Sequence, residues 1–331
     1  MLRAGLFSNF TVAEFEEFAD KYDDVELVET HLSASKEDAY KLKDFDLDAL
    51  VFNTRTREDE DYYKILSDAG IKYLCCCSAG FDHMNLARMK KYGMLGANVP
   101  QYSPNAIAEH TVMLVLSLLR HLREQVLRIE NHNYGIGGLL GRELRNMTVG
   151  IIGAGRIGAT TIQCLFGFNP KKIYAYDLYE NPSLKDKVEY VSLDELYAKC
   201  DIIILHCALT DDNVHFIDKN AIDKMKDGAL IVNSRRGPLI DNEALLYGIE
   251  SGKLGGCALD VIDGEEVLDK SKGSDTHPIR RLEKLMQSPN VIFTHHSAFF
   301  TDEAFRNMHE TCIDNLHEYA RTGKCSKELV K

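Results

Sequence analysis

Short apolar runs alternate with polar, helix-periodic stretches along the first hundred residues. The apolar runs span residues 5–8, 26–28, 49–53 and 72–76, and the helix-periodic stretches lie near residues 12–21, 35–43, 58–69 and 84–92. Such an alternation is typical of a parallel sheet whose strands are connected by helices. We therefore predict a small α/β domain in this part of the chain.

A second, longer alternation begins near residue 146. Six strand-like runs recur at intervals that leave room for a helix, at residues 148–152, 172–176, 202–206, 229–233, 256–260 and 291–294. Six such units predict the doubly wound parallel sheet of a dinucleotide-binding domain. Within it, Ser192 and Glu195 have the spacing of a capping box, which predicts a helix start.

Two further helices are predicted at the borders of these regions. Ser103 is suited to be the N-cap and Pro104 the first residue of a long helix that runs to about Asn131, and the proline-bounded segment before it predicts a hinge. Thr301 is suited to cap a last helix that ends near Gly323. This helix follows the sixth strand, so we expect the chain to cross back to the first domain.

Composition narrows the class of protein. The chain has 331 residues, 51 acidic against 39 basic residues and a net charge of -12, which disfavours nucleic acid and anionic membranes as partners. Nine cysteines without C-x-x-C spacing predict reduced thiols in a cytoplasmic protein and no metal site. The first residues lead into a predicted strand and do not have the pattern of an export signal. The most apolar helix, near residues 107–122, includes Glu109, His110 and Arg120, so we expect a core helix rather than a membrane span.

The strand at 148–152 continues into a glycine turn, Gly153-Ala154-Gly155-Arg156-Ile157-Gly158. A G-x-G-x-x-G turn that opens a helix can place a pyrophosphate at the helix N-terminus. The next predicted strand is followed by Asp177, an acid at the position expected to hydrogen-bond an adenosine ribose. Together they predict binding of a dinucleotide.

Three polar residues follow the last three predicted strands: Arg236, Glu265 and His296. Ligands of doubly wound sheets bind at the carboxyl ends of the strands. Arginine can bind a carboxylate and polarise the adjacent carbonyl, histidine can donate a proton, and a carboxylate favours the charged histidine. This trio suits reduction of a 2-oxo acid.

Each of these residues also has a structural alternative, since polar residues are also found in structural networks. Arg236 could cap a carbonyl, Glu265 could be a solvated loop acid, and His296 could be a core histidine. The neighbouring Arg235 and His295 compete for the same roles, and spacing alone does not choose between them. In the first domain, the strand at 72–76 runs into Ser78-Ala79-Gly80-Phe81-Asp82, which is either a close backbone approach to a ligand or a simple tight turn.

These motifs together resemble the NAD-dependent D-2-hydroxyacid dehydrogenases, in particular the branch of the D-lactate and D-2-hydroxyisocaproate dehydrogenases. The resemblance spans nearly the whole chain and rests on the glycine turn and on residues 79–82, 99–109, 233–241, 256–265 and 289–301. It implies two Rossmann-like or flavodoxin-like α/β domains with a cleft between them. The substrate domain would comprise residues 1–101 and 300–331, and the NAD-binding domain residues 102–299.

The resemblance also implies roles for individual residues. Arg236 would bind the substrate, Glu265 would be the carboxylate partner and His296 the proton donor. The remaining substrate contacts would come from Ala79, Gly80, Tyr102 and Phe300. The cofactor contacts would come from Gly153, Gly155, Arg156, Ile157, Gly158, Asp177, Cys207, Ala208, Asn213, Ser234, Arg235 and Asp260. The acid at position 177 favours NAD over NADP.

The sequence departs from the usual family pattern at five positions. His295 and Ala208 replace common prolines, Cys77 replaces an arginine, Arg235 stands where a small residue is usual, and Phe300 stands where lactate-type members carry tyrosine. Positions 77 and 300 make the expected pocket less polar. The expected product is therefore D-lactate or a larger apolar D-2-hydroxy acid, similar to hydroxyisocaproate or phenyllactate, and the two positions favour the larger acids.

The resemblance implies an NADH-dependent reductase of 2-oxo acids, with a homodimer as the expected assembly. One alternative is a relative of 3-phosphoglycerate or glyoxylate reductases, although the first domain has no extra basic residues. Formate dehydrogenases of the superfamily pair their histidine with glutamine, and Glu265 disfavours them. An alternative of another class is a dinucleotide-sensing corepressor relative, which can retain the same three residues.

Overall fold

The computed structural model describes residues 1–7, 9–52, 60–81, 83–265 and 277–330. Four of the predicted segments extend outside this range, with Ser8 and Asn53 in apolar runs, residues 58–59 in a helix-periodic stretch and Asp82 in the turn after residue 78. The chain divides into two compact units, the first made of Met1–Ser103 and Thr301–Lys331 and the second of Pro104–Phe300. Each unit contains a parallel sheet flanked by helices, so the predicted α/β class is confirmed.

In the first unit, the described residues form a five-stranded sheet with the order β2-β1-β3-β4-β5, in which every pair is parallel. This is the flavodoxin-like order. The strands are β1 (Leu2–Leu6), β2 (Val25–Glu29), β3 (Ala49–Phe52), β4 (Tyr73–Cys76) and β5 (Leu95–Ala97). The helices between them are α1 (Glu16–Ala19), α2 (Lys36–Ala39), α3 (Glu60–Asp68) and α4 (Leu86–Lys91).

The second unit begins with α5 (Pro104–Leu119) and α6 (Leu122–Glu130), where the sequence predicts one helix. That prediction is wrong because His121 adopts a left-handed backbone conformation with φ of 52°. The left-handed residue ends the first helix, and its carbonyl accepts the amide of Gln125 in the second.

The sheet of the second unit has the order β12-β11-β10-β9-β6-β7-β8 among the described residues, again with every pair parallel. Its strands are β6 (Thr148–Ile152), β7 (Lys172–Tyr176), β8 (Glu189–Tyr190), β9 (Ile202–Leu205), β10 (Ala229–Asn233), β11 (Leu254–Leu259) and β12 (Val291–Phe293). The crossovers are helices α7 (Arg156–Phe166), α8 (Leu193–Lys199), α9 (Lys219–Lys224), α10 (Asn242–Glu250) and α11 (His277–Gln287). The strand order reverses between β6 and β9, which is where doubly wound sheets bind ligands.

Local sequence signals account for several helix ends. The Ser192 side chain accepts the amide of Glu195, and the Glu195 carboxylate accepts the amide of Ser192, so the predicted capping box is confirmed. Thr301 caps α12 (Asp302–Thr322), and Gly323 follows it with a φ of 67°, which is a left-handed conformation that favours glycine. Helix α12 packs against β1, β2 and β4 of the first unit.

Apolar strands form the core of the second unit. Every residue of β6, β9 and β10 is buried, as expected for parallel strands covered on both faces. All nine cysteines are free thiols, seven of them buried. Among the described residues, no helix is long and apolar enough to cross a membrane.

Candidate active site

The glycine turn lies against the end of the neighbouring strand. Gly153 has a φ of 98°, and a methyl group on it would lie 2.3 Å from the Cys207 nitrogen and 2.5 Å from the His206 carbonyl carbon. Both the backbone conformation and the space therefore require glycine at this position. The turn thus lies at the point where the strand order reverses, between β6 and β9.

The other two glycines of the turn have different surroundings. A methyl group on Gly158 would lie 2.0 Å from the Gly153 carbonyl oxygen, whereas one on Gly155 would meet no described atom within 4 Å. Gly158 is therefore needed for packing, and Gly155 leaves open space before Arg156 and Ile157, the first residues of α7. Open space at a helix N-terminus suits a pyrophosphate.

Asp177 follows β7 and turns its carboxylate towards the glycine turn. One carboxylate oxygen accepts the amide of Ala154 at 2.7 Å, and the other accepts the amide of Tyr179 at 3.2 Å. Asn181 adds a bond from its side-chain nitrogen to the Ala154 carbonyl at 3.1 Å. The carboxylate is held beside the start of α7, where an adenosine ribose would lie. Turn, helix and acid together fit NAD.

The residues after β9 form a loop that is held by internal hydrogen bonds. Asn213 accepts the amide of Thr210 and donates to the Ala208 carbonyl, both at 2.8 Å. Burial raises the pKa of the Cys207 thiol to about 11, so the thiol is protonated near neutral pH. The loop thus places Cys207, Ala208 and Asn213 at the carboxyl end of the sheet.

His206 precedes this loop, in a segment that the sequence predicts only to be a strand. Its ring is buried, with Nε2 2.8 Å from the Thr161 hydroxyl, whereas Nδ1 has no hydrogen-bond partner among the described residues. Burial, and secondarily the charge of Arg235, lowers the pKa of His206 to about 3. The histidine is therefore neutral beside the glycine turn.

Arg236 lies in a constrained loop after β10. Asn233 donates to the Arg236 carbonyl at 2.8 Å and accepts the amide of Arg235 at 3.0 Å, while Arg236 Nη1 donates to the Arg235 carbonyl at 2.8 Å. A methyl group on the following Gly237 would lie 2.2 Å from the Ile262 carbonyl carbon. This close approach packs the arginine loop against the segment that leads to Glu265.

Ser234 joins the same loop to the first helix of the unit. Thr111 donates to the Ile107 carbonyl at 2.7 Å, so its hydroxyl proton is committed. Ser234, 2.6 Å from the Thr111 hydroxyl, must then act as the donor between them. Both lone pairs of the Ser234 oxygen are then left to accept hydrogen bonds.

Asp260 organises the segment that carries the histidine. Its buried carboxylate accepts the Thr294 hydroxyl at 2.5 Å and the amides of Ser297 and Ala298 at 2.9 Å each. Burial would raise the pKa of Asp260, but hydrogen bonds from His110, Thr294 and the two amides outweigh it and lower the pKa to about 2. The carboxylate is therefore ionised throughout the neutral range.

His296 is paired with Glu265. Nδ1 of His296 lies 2.7 Å from Glu265 Oε1, and because a carboxylate oxygen can only accept, Nδ1 carries the proton. The backbone of His296 is left-handed, with φ of 53°, and its amide donates to the Asp260 carbonyl at 2.9 Å. The His296 side chain is 45% exposed and that of Glu265 22%, so solvent reaches the imidazole while its partner is more enclosed.

Two aromatic rings form a row of edge-on contacts that starts at the His296 imidazole. Phe299 lies edge-on to His296 with 6.5 Å between ring centroids, and Phe300 lies edge-on to Phe299 at 6.0 Å. The ring of Phe300 is largely exposed. The two phenylalanines form an apolar surface next to the imidazole, which we call the aromatic ladder.

The other sequence-predicted substrate residues belong to the first unit. Ala79 and Gly80 follow β4 and are partly exposed. The carbonyl of Tyr102 accepts the side-chain nitrogen of Asn307 on α12 at 2.7 Å, which fixes the backbone just before α5. No group of three or more potential metal ligands occurs among the described residues.

Several supporting residues were not predicted. His110 Nε2 lies 3.0 Å from the Thr294 hydroxyl and 3.4 Å from Asp260 Oδ1, and because Thr294 donates to Asp260, the Nε2 proton of His110 is shared between these two acceptor oxygens. In the first unit, Asn98 donates to the Ala79 carbonyl. Neither residue follows a predicted strand of the second domain, so the pattern of polar residues at strand ends does not indicate them.

A family model for the NAD-binding domain of the D-isomer specific 2-hydroxyacid dehydrogenases matches residues 112–298. An aromatic 2-oxoacid reductase from Clostridium sporogenes is 43% identical over 322 residues, 96% of each chain. A D-lactate dehydrogenase from Lactobacillus delbrueckii subsp. bulgaricus is 37% identical over 318 residues, 96% of this chain and 94% of that protein. The solved structure of a D-2-hydroxyisocaproate dehydrogenase matches with a TM-score of 0.88 and 29% identity over the whole of both chains.

Proposed function

Because the chain belongs to the D-isomer specific 2-hydroxyacid dehydrogenases and binds NAD, we propose that it reduces 2-oxo acids with large apolar side chains to D-2-hydroxy acids, with Arg236, Glu265 and His296 as its catalytic residues. The single observation that carries the assignment of roles is the 2.7 Å pair between His296 and Glu265. It provides an oriented proton donor at the carboxyl end of the sheet.

We assign a separate role in the reduction to each of the three proposed catalytic residues. The Glu265 carboxylate holds the Nδ1 proton of His296, which leaves Nε2 to donate the second proton of the imidazolium to the carbonyl oxygen. Arg236 binds the substrate carboxylate and polarises the adjacent carbonyl with its permanent charge. Bound NADH supplies the hydride.

The cofactor is assigned to the residues at the point where the strand order reverses. Gly153, Gly155, Arg156, Ile157 and Gly158 would hold the pyrophosphate, because the helix N-terminus offers amides and a positive dipole end. Asp177 would hold the ribose and repel a 2′-phosphate. The adenosine half would contact Cys207, Ala208 and Asn213, and the nicotinamide half would contact Ser234, Arg235 and Asp260.

The aromatic ladder supports a substrate with a large apolar side chain. Edge-on pairs of Phe299 with His296 and with Phe300 place apolar surface beside the proton donor. Phe300 lacks the hydroxyl that tyrosine would provide, so this surface offers no polar partner at that position. The similarity to an aromatic 2-oxoacid reductase favours the same substrate class.

On the substrate side, we assign the carboxylate to the backbone amides of Ala79 and Gly80, and assign Tyr102 a packing contact with the substrate. By this division, Met1–Ser103 with Thr301–Lys331 would serve as the substrate domain, and Pro104–Phe300 as the NAD-binding domain.

The protein is further proposed to be a cytoplasmic homodimer. Nine free thiols suit a reducing compartment. Helix α6 exposes Val126 and Ile129, and the loop beside it exposes Ile136 and Leu140. Arg128 ties that loop to the helix through bonds to the carbonyls of residues 135 and 137, at 3.2 and 2.7 Å. An ordered apolar surface of this kind is typical of an interface between subunits.

A substrate panel tests the proposed preference. Initial rates of NADH oxidation would be measured with pyruvate, 2-oxoisocaproate, phenylpyruvate and 2-oxoglutarate. We expect the largest kcat/KM for phenylpyruvate or 2-oxoisocaproate, and a Phe300→Tyr variant should move the preference towards pyruvate. Absence of turnover with every 2-oxo acid would refute the function, and a preference for pyruvate in the wild type would refute the side-chain class alone.

A further inference from the structure

Three consecutive carbonyls after β4 are all held by hydrogen bonds. The Ser78 carbonyl accepts the amide of Val99 at 3.1 Å, and the Ala79 carbonyl accepts Nδ2 of Asn98 at 2.8 Å. The Gly80 carbonyl accepts the Ser78 hydroxyl at 2.7 Å. We call residues 78–80 the carbonyl-held loop.

The backbone amides of the carbonyl-held loop differ from its carbonyls in their hydrogen bonding. Among the hydrogen bonds between described residues, none has the amide of Ala79 or Gly80 as its donor. In a trans peptide the carbonyl and the following N–H point in opposite directions. Val99 therefore directs the N–H of Ala79 away from residues 98 and 99, and Asn98 does the same for the N–H of Gly80.

Asn98 is itself held rigidly. It is 5% exposed, and its carbonyl accepts Nδ2 of Asn315 on α12 at 3.1 Å. Asn315 is fully buried, and its side-chain oxygen accepts from the Cys325 thiol and the Lys327 ammonium, at 3.3 Å each. The orientation of the Asn98 amide is fixed by chemistry, because the Ala79 carbonyl can only accept and so must face the nitrogen.

We propose that Asn98 is a positioning residue for the substrate carboxylate, which it serves by holding the Ala79 carbonyl so that the Gly80 amide points to the bound carboxylate. This inference rests on the proposed function, which assigns that carboxylate to Ala79 and Gly80. Without the Asn98 amide, the Ala79 carbonyl loses its partner, and the peptide between residues 79 and 80 can rotate to find another.

A general structural role for Asn98 predicts a different outcome from a positioning role. Loss of stability alone would affect all substrates equally, whereas misdirected amides would affect only substrates with a carboxylate. Asn98→Leu is the appropriate variant, because leucine has nearly the same shape, no hydrogen-bonding group and no charge. Tyr319→Phe is the matched control, since it removes a partly buried hydrogen bond to Glu328 in the same unit, beside Tyr73 at the opposite end of β4.

The experiment compares phenylpyruvate with its methyl ester, which keeps the reacting carbonyl and lacks the charge. For Asn98→Leu we expect kcat/KM for the acid to fall roughly 10- to 100-fold, mainly through KM, as for loss of one hydrogen bond to a charged group. The ester should change less than about threefold, and NADH affinity should be unchanged. Tyr319→Phe should leave the ratio of acid to ester as in the wild type.

Equal losses for acid and ester in Asn98→Leu, or no loss for either, would overturn the positioning role. If that variant does not fold, the same ratio is measured in Asn98→Ser, with the same two outcomes. If the wild type reduces the ester too slowly to measure, the inhibition constant of oxamate replaces the ratio and should rise roughly tenfold or more in the variant. A wild type that reduces no 2-oxo acid would instead refute the proposed function.

Discussion

At the scale of single residues, the site depends on pairs whose partners come from different strand ends. Glu265 follows β11 and His296 follows β12, and the two side chains meet at 2.7 Å. Like His296, the neighbouring His295 is exposed. Pairing with Glu265 orients the His296 imidazole, whereas among the described residues His295 has no carboxylate partner.

Substitution of the two histidines should therefore have unequal effects. We expect His296→Ala to lower kcat by roughly 10²- to 10⁴-fold, the usual contribution of a general acid, with NADH affinity unchanged. His295→Ala should retain turnover within a few-fold. Steady-state kinetics and NADH titration by fluorescence would measure both, and similar losses of turnover in the two variants would contradict the assignment.

Buried His206 should make stability depend on pH. An unfolded histidine has a pKa of about 6.5, whereas folding lowers the pKa of His206 to about 3. As pH falls below about 6.5, the unfolded chain takes up a proton that the folded chain does not, so stability falls. The loss attributable to His206 between pH 7 and pH 5 is about 2 kcal/mol.

Urea denaturation at the two pH values tests this effect. The decrease in unfolding free energy from pH 7 to pH 5 should be smaller in His206→Gln than in the wild type. The same substitution at His31, whose side chain is 82% exposed, is the control for removal of a histidine. Identical decreases in the wild type and His206→Gln would show that burial of this ring does not suppress its protonation.

At the scale of elements, strands with consecutive apolar residues were predictable, including the three-residue β12, whereas β5 and β8 were not. The runs at 148–152 and 172–176 coincide with β6 and β7. By contrast, β5 has three residues and includes Gly96, and β8 has only two, so neither contains enough apolar residues to form a pattern. Their strand conformation comes from pairing with neighbours in the sheet.

The long helix predicted from residue 104 illustrates another limit. Its apolar pattern continues through residues 104–130, but His121 takes a left-handed conformation that divides it. Nothing in the pattern marks that residue, because histidine is not a helix breaker as proline is. The end of α12, by contrast, was predictable because glycine follows it.

The residues of the candidate site also include some that the sequence indicated and some that it did not. Arg236, Glu265 and His296 follow predicted strands, so the sheet topology indicated their positions, and the family resemblance chose Arg236 over Arg235 and His296 over His295. Asn98 and His110 were missed because their roles depend on hydrogen bonds to segments distant in sequence, the Ala79 carbonyl and the Thr294 hydroxyl. Such contacts exist only once the elements have packed.

Substitutions in the glycine turn should separate effects on stability from effects on cofactor binding. Gly155→Ala should leave the thermal midpoint within a few degrees of the wild type, because its methyl group meets no described atom within 4 Å. It should raise the NADH dissociation constant at least about tenfold, or about 1.4 kcal/mol, by occupying the space of the pyrophosphate. Gly158→Ala should be destabilised by about 1–3 kcal/mol, because its methyl group would overlap the Gly153 carbonyl.

Thermal unfolding and NADH fluorescence titration would be applied to both variants. Gly137→Ala is the control, since a methyl group there also meets no described atom within 4 Å. The interpretation would fail if Gly155→Ala bound NADH as the wild type does, or if Gly158→Ala were as stable as the wild type.

At the scale of the whole molecule, the exposed apolar surface on α6 and its loop should determine assembly. Light scattering after size-exclusion chromatography should give twice the chain mass of 37.4 kDa. Val126→Asp combined with Ile129→Asp should shift the protein to monomers, because both residues are about half exposed and a buried unpaired charge is costly. Tyr40→Asp, at an exposed site of the first unit, should remain dimeric.

A monomeric wild type would contradict the proposed dimer. A double variant that stays dimeric would place the interface elsewhere on the molecule.

We propose above all that this chain carries out stereospecific reduction at the carbonyl of a 2-oxo acid. The most direct measurement is to incubate the purified protein with NADH and phenylpyruvate and to separate the phenyllactate enantiomers by chiral chromatography. We predict D-phenyllactate in a one-to-one ratio with the NADH oxidised. Formation of the L enantiomer, a racemic product or oxidation of NADH without phenyllactate would contradict the claim.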